Sequence, residues 1–158
     1  MSRMKSELWC SCTLGFSQQY KKQNYPLTNA MEGYEIALRS IRMTDNKKTV
    51  EMYMDGFRKS DHDQILSCLT DDVEWEMPGA FHLIGKDSFD KEIENDAFVG
   101  SPTIEITRMT EENDVVIAEG TVRCQRKAGG FLKAMFCDAF TMQNAKIKRL
   151  ITYQVELK

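Results

Sequence analysis

Three proton-handling side chains sit among apolar neighbours in positions where they could do chemistry. Tyr53 lies on the stripe Val50, Tyr53, Met54 and Phe57, whose i, i+3, i+4, i+7 spacing sets its phenol on the core side of a helix. Asp138 stands in a β-prone run, flanked by Phe136, Cys137 and Phe140. A carboxyl there must find a partner once buried, so a structural pairing with Tyr53, Arg123 or Arg149 competes with a catalytic role. His82 follows Pro78-Gly79 in the segment AFHLIG; histidine is the residue type suited to proton transfer at physiological pH, and as a loop residue it can be aimed inward as a base. Glu119 and Arg123 either form an internal ion pair or face water.

Metal and redox chemistry find less support. Cys10, Cys12, Cys68, Cys124 and Cys137 lack the paired spacing of a zinc site or a disulfide framework, so they read as reduced thiols of a cytoplasmic protein with no metal. The 24 acidic and 21 basic residues are mixed along the chain, leaving a formal charge of -3 and no footprint for nucleic acid or an anionic membrane. No run approaches the roughly 18 apolar residues of a membrane span. Small molecules and proteins are the expected partners.

With 158 residues and 42% hydrophobic content, the chain supports one domain with a substantial core. Residues 1–42 show little periodicity and read as an extension, either an over-extended start or a loosely attached arm, ahead of a domain at 43–158. After the Tyr53 helix, Ser60-Asp61 interrupts the pattern, and either residue can cap a second helix buried through Ile65, Leu66 and Leu69. Asp71-Asp72 reads as a turn. Val73, Trp75 and Met77 alternate with Glu74 and Glu76 as a strand that Pro78-Gly79 stops. Asp87 can cap a short helix through Phe89 and Ile93, ending near Asn95-Asp96.

Four β-prone runs then follow, 103–109, 115–126, 131–142 and 147–157, joined by turn residues as in an antiparallel meander. Helices first and strands later make this α+β, with a curved antiparallel sheet wrapped around the N-terminal helices. A two-residue turn at Gly129-Gly130 places Asp138 opposite Thr121 and gathers Glu119, Thr121, Arg123, Phe136, Asp138 and Phe140 on one face; a three-residue loop reverses the parity. In the last strand, composition favours burying Ile147, Ile151, Tyr153 and Val155. Leu150, Thr152 and Gln154 occupy the other face.

The segments DGFRKSDHDQILSCLTDDVEWEMPG, LIGKDSFDKEI and FCDAFTMQNAKIKRLITYQVEL resemble the SnoaL-like branch of the nuclear-transport-factor-2-like superfamily, from roughly Asp45 to the C-terminus. That superfamily also holds ketosteroid isomerases, limonene-epoxide hydrolases, scytalone dehydratases and polyketide cyclases. The resemblance implies a cone-shaped fold that binds a small, mostly apolar molecule without a cofactor and dimerises through its sheet. It places Leu150, Thr152 and Gln154 in the pocket, against the composition of that strand.

Within the superfamily, Tyr53 falls where ketosteroid isomerases keep an oxyanion-binding tyrosine, and Asp138 where they keep a protonated aspartic acid. Both can donate to a developing enolate oxygen. Their general base corresponds to Met77, whose thioether cannot take a proton at neutral pH, which leaves His82 as the substitute. Phe57, Trp75, Met77 and Phe136 are then expected as ligand wall, with Glu119, Thr121 and Arg123 beside them. The implied chemistry is isomerisation, cyclisation or dehydration of a carbonyl compound. The alternative is a non-catalytic dimerisation or ligand-binding module, and an epoxide hydrolase would need an Asp-Arg-Asp relay of which Arg123 and Asp138 supply part.

Overall fold

The computed structural model describes residues 43–158. The reading of residues 1–42, including Cys10 and Cys12, lies outside the described residues. Helix α1 (Asp45–Lys59) opens at Thr44, whose hydroxyl accepts from the Lys47 N–H, and closes at Ser60 in the left-handed region. Asp61 then caps α2 (His62–Ser67) by accepting from the Gln64 N–H at 2.9 Å. Ser60 therefore ends one helix and Asp61 starts the next, which settles the two capping alternatives. Gly56 permits their close approach, since a Cβ there would lie 2.6 Å from Ile65 Cγ1.

Strand β1 (Leu69–Met77) begins directly after α2, not after an Asp71-Asp72 turn. Pairing of Leu69 with Ile147 on the last strand draws this segment into the sheet, and the irregularity between Leu69 and Glu74 accommodates the two aspartates. A short β2 (Phe81–Ile84) folds back on β1, so AFHLIG is an edge strand and not a loop. Helix α3 (Lys86–Ile93) is capped by Gly85, with Asp87 inside its first turn. Asp87 still favours that helix end through the dipole, but it is not the cap.

The remaining strands are β3 (Phe98–Glu112), β4 (Val115–Arg126), β5 (Phe131–Gln143) and β6 (Lys146–Glu156). They form the antiparallel meander within a six-stranded sheet ordered β2-β1-β6-β5-β4-β3, in which only β1 and β6 run parallel. Two of the turns are two-residue hairpins, Asn113-Asp114 and Asn144-Ala145, with both residues at positive φ. The third is longer: Arg126 stands opposite Gly130, its N–H donating to the Gly130 carbonyl at 3.0 Å, so the three residues 127–129 make the turn.

That longer turn changes what faces what. Asp138 pairs with Ala118, and Phe136 with Gly120, so the even-numbered residues of β4 share the Asp138 face. Glu119, Thr121 and Arg123 point the other way, a correction to the two-residue turn. In β6 the parity also shifts once, because Lys148 is an extra residue opposite the Thr141–Met142 step. Ile147 and then Leu150 and Thr152 consequently all face inward, while Tyr153 and Val155 are exposed.

These irregularities, with two more along β3, bend the sheet into a cone around α1. Val50, Tyr53 and Met54 of α1 are buried against Val116, Phe140 and Leu150 of the concave face. Gly120 is a point of close approach between strands. A Cβ there would stand 2.1 Å from the Glu105 carbonyl oxygen and 2.7 Å from the Phe136 ring, so only a residue without a side chain lets Phe136 lie flat over the strand.

Candidate functional site

Between α1, α3 and the concave sheet lies an open cavity of about 640 Å³. That falls within the usual size of small-molecule sites. Helix α1 contributes Tyr53 and Phe57, β1 contributes Trp75 and Met77, β5 contributes Phe136 and Asp138, and β6 contributes Thr152. Trp75, Met77 and Phe136 thus line the space without plugging it. Leu150 is fully buried in the core beneath and is not part of the cavity wall.

The wall is a connected set of aromatic rings. Trp75 stacks on Phe89 at 4.6 Å between centroids and meets Phe81 edge-on at 5.0 Å, while Tyr53 meets Phe57 at 5.0 Å and Phe140 at 5.5 Å. Edge-to-face contacts of this kind fix ring orientation as well as burying area. One polar link crosses the wall: the Trp75 indole N–H donates to the Thr152 hydroxyl at 3.1 Å.

Asp138 is the exceptional group. It is 7% exposed, it faces the cavity, and its Oδ1 has no hydrogen-bond partner among the described residues. Neither candidate arginine reaches it. Arg123, on the outer face, lies over the Phe131 ring at 3.7 Å, and Arg149 bonds Glu76 at 2.8 Å. Burial pushes the Asp138 carboxyl up to about 7, with the Thr152 hydroxyl pulling it partly back. Tyr53, 2% exposed, is held well above the ordinary tyrosine value by burial first, then by the neighbouring Asp138 and Cys68. At neutral pH the cavity therefore holds a phenol that keeps its proton and a carboxyl close to its midpoint.

The other expected site residues lie elsewhere. His82 sits on β2 opposite Glu76, half exposed, with its ring 3.7 Å from Glu74. Strand pairing holds it on the outer face with Glu74 and Glu76, where it cannot serve as a base in the cavity. Glu119 pairs with Arg108 at 2.7 Å on the same outer side. With Arg123 also outside, no Asp-Arg relay forms within the cone. Their places are taken by Val122 and Cys124, which the two-residue turn had put outside. The signal for them was present in β4, where Val116, Ala118, Gly120 and Val122 alternate with the polar Glu119, Thr121 and Arg123.

Among the described residues, the charged ones lining the cavity are Glu92, Glu94, Asp96 and Asp138, with no lysine, arginine or histidine. No cluster of three or more His, Cys, Asp or Glu among the described residues is placed to hold a metal ion. No helix among them is long and apolar enough to cross a membrane.

A family described as the SnoaL-like domain matches residues 50–150, which takes in α1 through most of β6. This chain belongs to the SnoaL-like domain family. No match is found among curated protein sequences. Solved structures place the SnoaL-like domain within the NTF2-like cone fold. An NTF2-like protein of Burkholderia pseudomallei is 18% identical over 70% of this chain and 91% of its own, with a TM-score of 0.66. TerC, crystallised with polyporic acid, is 22% identical over 70% and 91%, with a TM-score of 0.64. An LEH-like epoxide hydrolase of Mycobacterium tuberculosis is 17% identical over 70% and 83%, with a TM-score of 0.63. At these identities the common property is the fold.

The raised Asp138 carboxyl has a consequence for stability. The unfolded carboxyl releases its proton near pH 3.9, whereas the folded one keeps it to about 7, so its contribution to stability falls as pH rises through that window and is flat outside it. Urea unfolding of wild type and Asp138→Asn from pH 4 to pH 8 should show the variant gaining, relative to wild type, on the order of 2–4 kcal/mol across the window. Parallel curves would mean that Asp138 ionises as an ordinary surface carboxylate.

Proposed function

We propose that this SnoaL-like domain binds a small, mostly apolar and uncharged carbonyl compound in its cone, with Tyr53 and Asp138 holding the carbonyl oxygen. The observation that carries the reading is Asp138, a buried carboxyl with no cation beside it among the described residues, facing an aromatic cavity together with a protonated phenol. An acid kept neutral in an apolar site acts as a hydrogen-bond donor, and two such donors polarise a carbonyl and stabilise charge developing on its oxygen. Cavity-lining carboxylates and the absence of basic groups among the lining residues disfavour anions.

Isomerisation of the ketosteroid type also needs a base beside the carbonyl, and Met77 occupies that position. The arrangement is therefore suited to binding and polarising the oxygen, with proton removal restricted to ligands acidic enough to lose a proton to water or to the ionised fraction of Asp138. A cytoplasmic setting fits Cys68, Cys124 and Cys137, all free.

A homodimer through the convex face is part of the same proposal. Met135 pairs with Val155 and Cys137 with Tyr153 on adjacent strands, and Met135, Tyr153 and Val155 are each more than half exposed. A contiguous apolar strip on a sheet calls for cover.

Titration calorimetry with 2-acetylnaphthalene at pH 6 should detect binding, with 2-naphthoate binding at least about tenfold more weakly. Tyr53→Phe and Asp138→Leu, which remove the donor at each position, should each weaken the ketone by about three- to tenfold, the value of one hydrogen bond. Equal affinities for all three proteins would remove the polar pair from the account. Sedimentation velocity at tens of micromolar protein should give a dimer that Val155→Asp converts to a monomer; a monomeric wild type contradicts the dimer.

A further inference from the structure

We propose that Thr152 is a positioning residue: anchored by Trp75, it donates its hydroxyl proton to Asp138 and so leaves the acid's own proton for the ligand. This deepens the reading of Asp138 as a donor and rests on it.

An indole nitrogen is a donor only, so the 3.1 Å bond from Trp75 Nε1 fixes Thr152 Oγ1 as acceptor. The single hydroxyl proton of Thr152 must then go to another group. Its cross-strand partner across β5 and β6 is Asp138, on the same inward face, and both residues are 7% exposed. No other side chain competes as acceptor from the paired strand, because Phe136 and Phe140 flank Asp138 on that face.

The consequence lies in the carboxyl itself. An oxygen that accepts from Thr152 is not the one that carries the acid proton, since a carboxylic acid donates through one oxygen and accepts best through the other. Occupying one oxygen therefore directs the donor O–H away from β6. The same contact favours the ionised form, which agrees with Thr152 pulling the carboxyl down from where burial alone would hold it. Trp75 contributes by holding the hydroxyl in its giving orientation, and the rings of Phe81 and Phe89 hold Trp75 in turn.

Other ionisable groups face Asp138 from the elements around it. Tyr53 comes from α1 and Cys124 from β4, while Glu92, Glu94 and Asp96 line the same cavity from α3 and the turn after it; Cys137, next to Asp138 in β5, points to the convex face with Tyr153. None of these changes when Thr152 is replaced, so a shift in Asp138 reports on Thr152.

The test follows the Asp138 carboxyl carbon by NMR in full-length protein labelled with ¹³C-aspartate, with the signal assigned by its loss in Asp138→Asn. Thr152→Val should raise the titration midpoint by about one pH unit, the strength of a hydrogen bond to a charged group. Thr152→Ser, which keeps the hydroxyl, should restore the wild-type midpoint, and Trp75→Phe should move it in the same direction by less. If Thr152→Val fails to fold, Thr152→Ala carries the same expectation. An unchanged midpoint overturns the proposal, and a lowered one overturns it too, because it would mean that Asp138 donates to Thr152. Binding of 2-acetylnaphthalene over the same pH range separates the two readings. Loss of affinity as pH rises through the midpoint, at a higher pH in Thr152→Val, supports both. No binding by any of the proteins defeats the carbonyl reading, while the midpoints still decide the role of Thr152.

Discussion

A carboxyl removed from water, with no cation beside it among the described residues, is the constraint on which the rest of this domain depends. Ionised and unpaired, Asp138 would be costly to bury, and the usual remedy is an arginine or lysine at contact distance. Here both arginines that the strands could have supplied are committed on the far side of the sheet, Arg123 against Phe131 and Arg149 against Glu76. The remaining remedy is to hold the proton to higher pH, and burial raises the Asp138 carboxyl to about 7. In the function we propose, a cavity built this way presents donors to an oxygen and disfavours anions.

The scaffold exists to bring that group under α1. Asp138 and Tyr53 are far apart in sequence, and they share a hollow only because the sheet curls back over the helix. The curl depends on local irregularities: the extra residue Lys148 in β6, the shifts along β3, and a glycine at position 120 where no methyl fits. Each is a small departure from regular pairing. Together they set which residues face in, so the chemistry of the cavity is decided by register more than by composition.

Much of this was legible in the sequence, and the failures share one cause. The α1 stripe, the Trp75 strand, the meander and the family resemblance are carried by local periodicity and turn residues, which survive into the fold unchanged. The inward set on β4 differs because Gly129-Gly130 suggested a two-residue turn, whereas Arg126 stands opposite Gly130 around the three residues 127–129, and an odd loop in place of an even one exchanges the faces of a strand. Ile147 and Thr152 looked like rival faces of β6 until the Lys148 bulge let both face in. His82 appeared free to turn inward because nothing in AFHLIG announces that four residues will pair with β1. Pairing partners and bulges are non-local, and a single chain of letters does not carry them.

The most direct test of the central claim is a crystal structure of the protein at pH 6 with 2-acetylnaphthalene bound. The account predicts the naphthyl ring against Trp75 and Phe57, with its carbonyl oxygen within hydrogen-bonding distance of both the Tyr53 hydroxyl and the Asp138 carboxyl. A ring seated in the cone with its oxygen turned away from that pair, or a cone that stays empty, would contradict it.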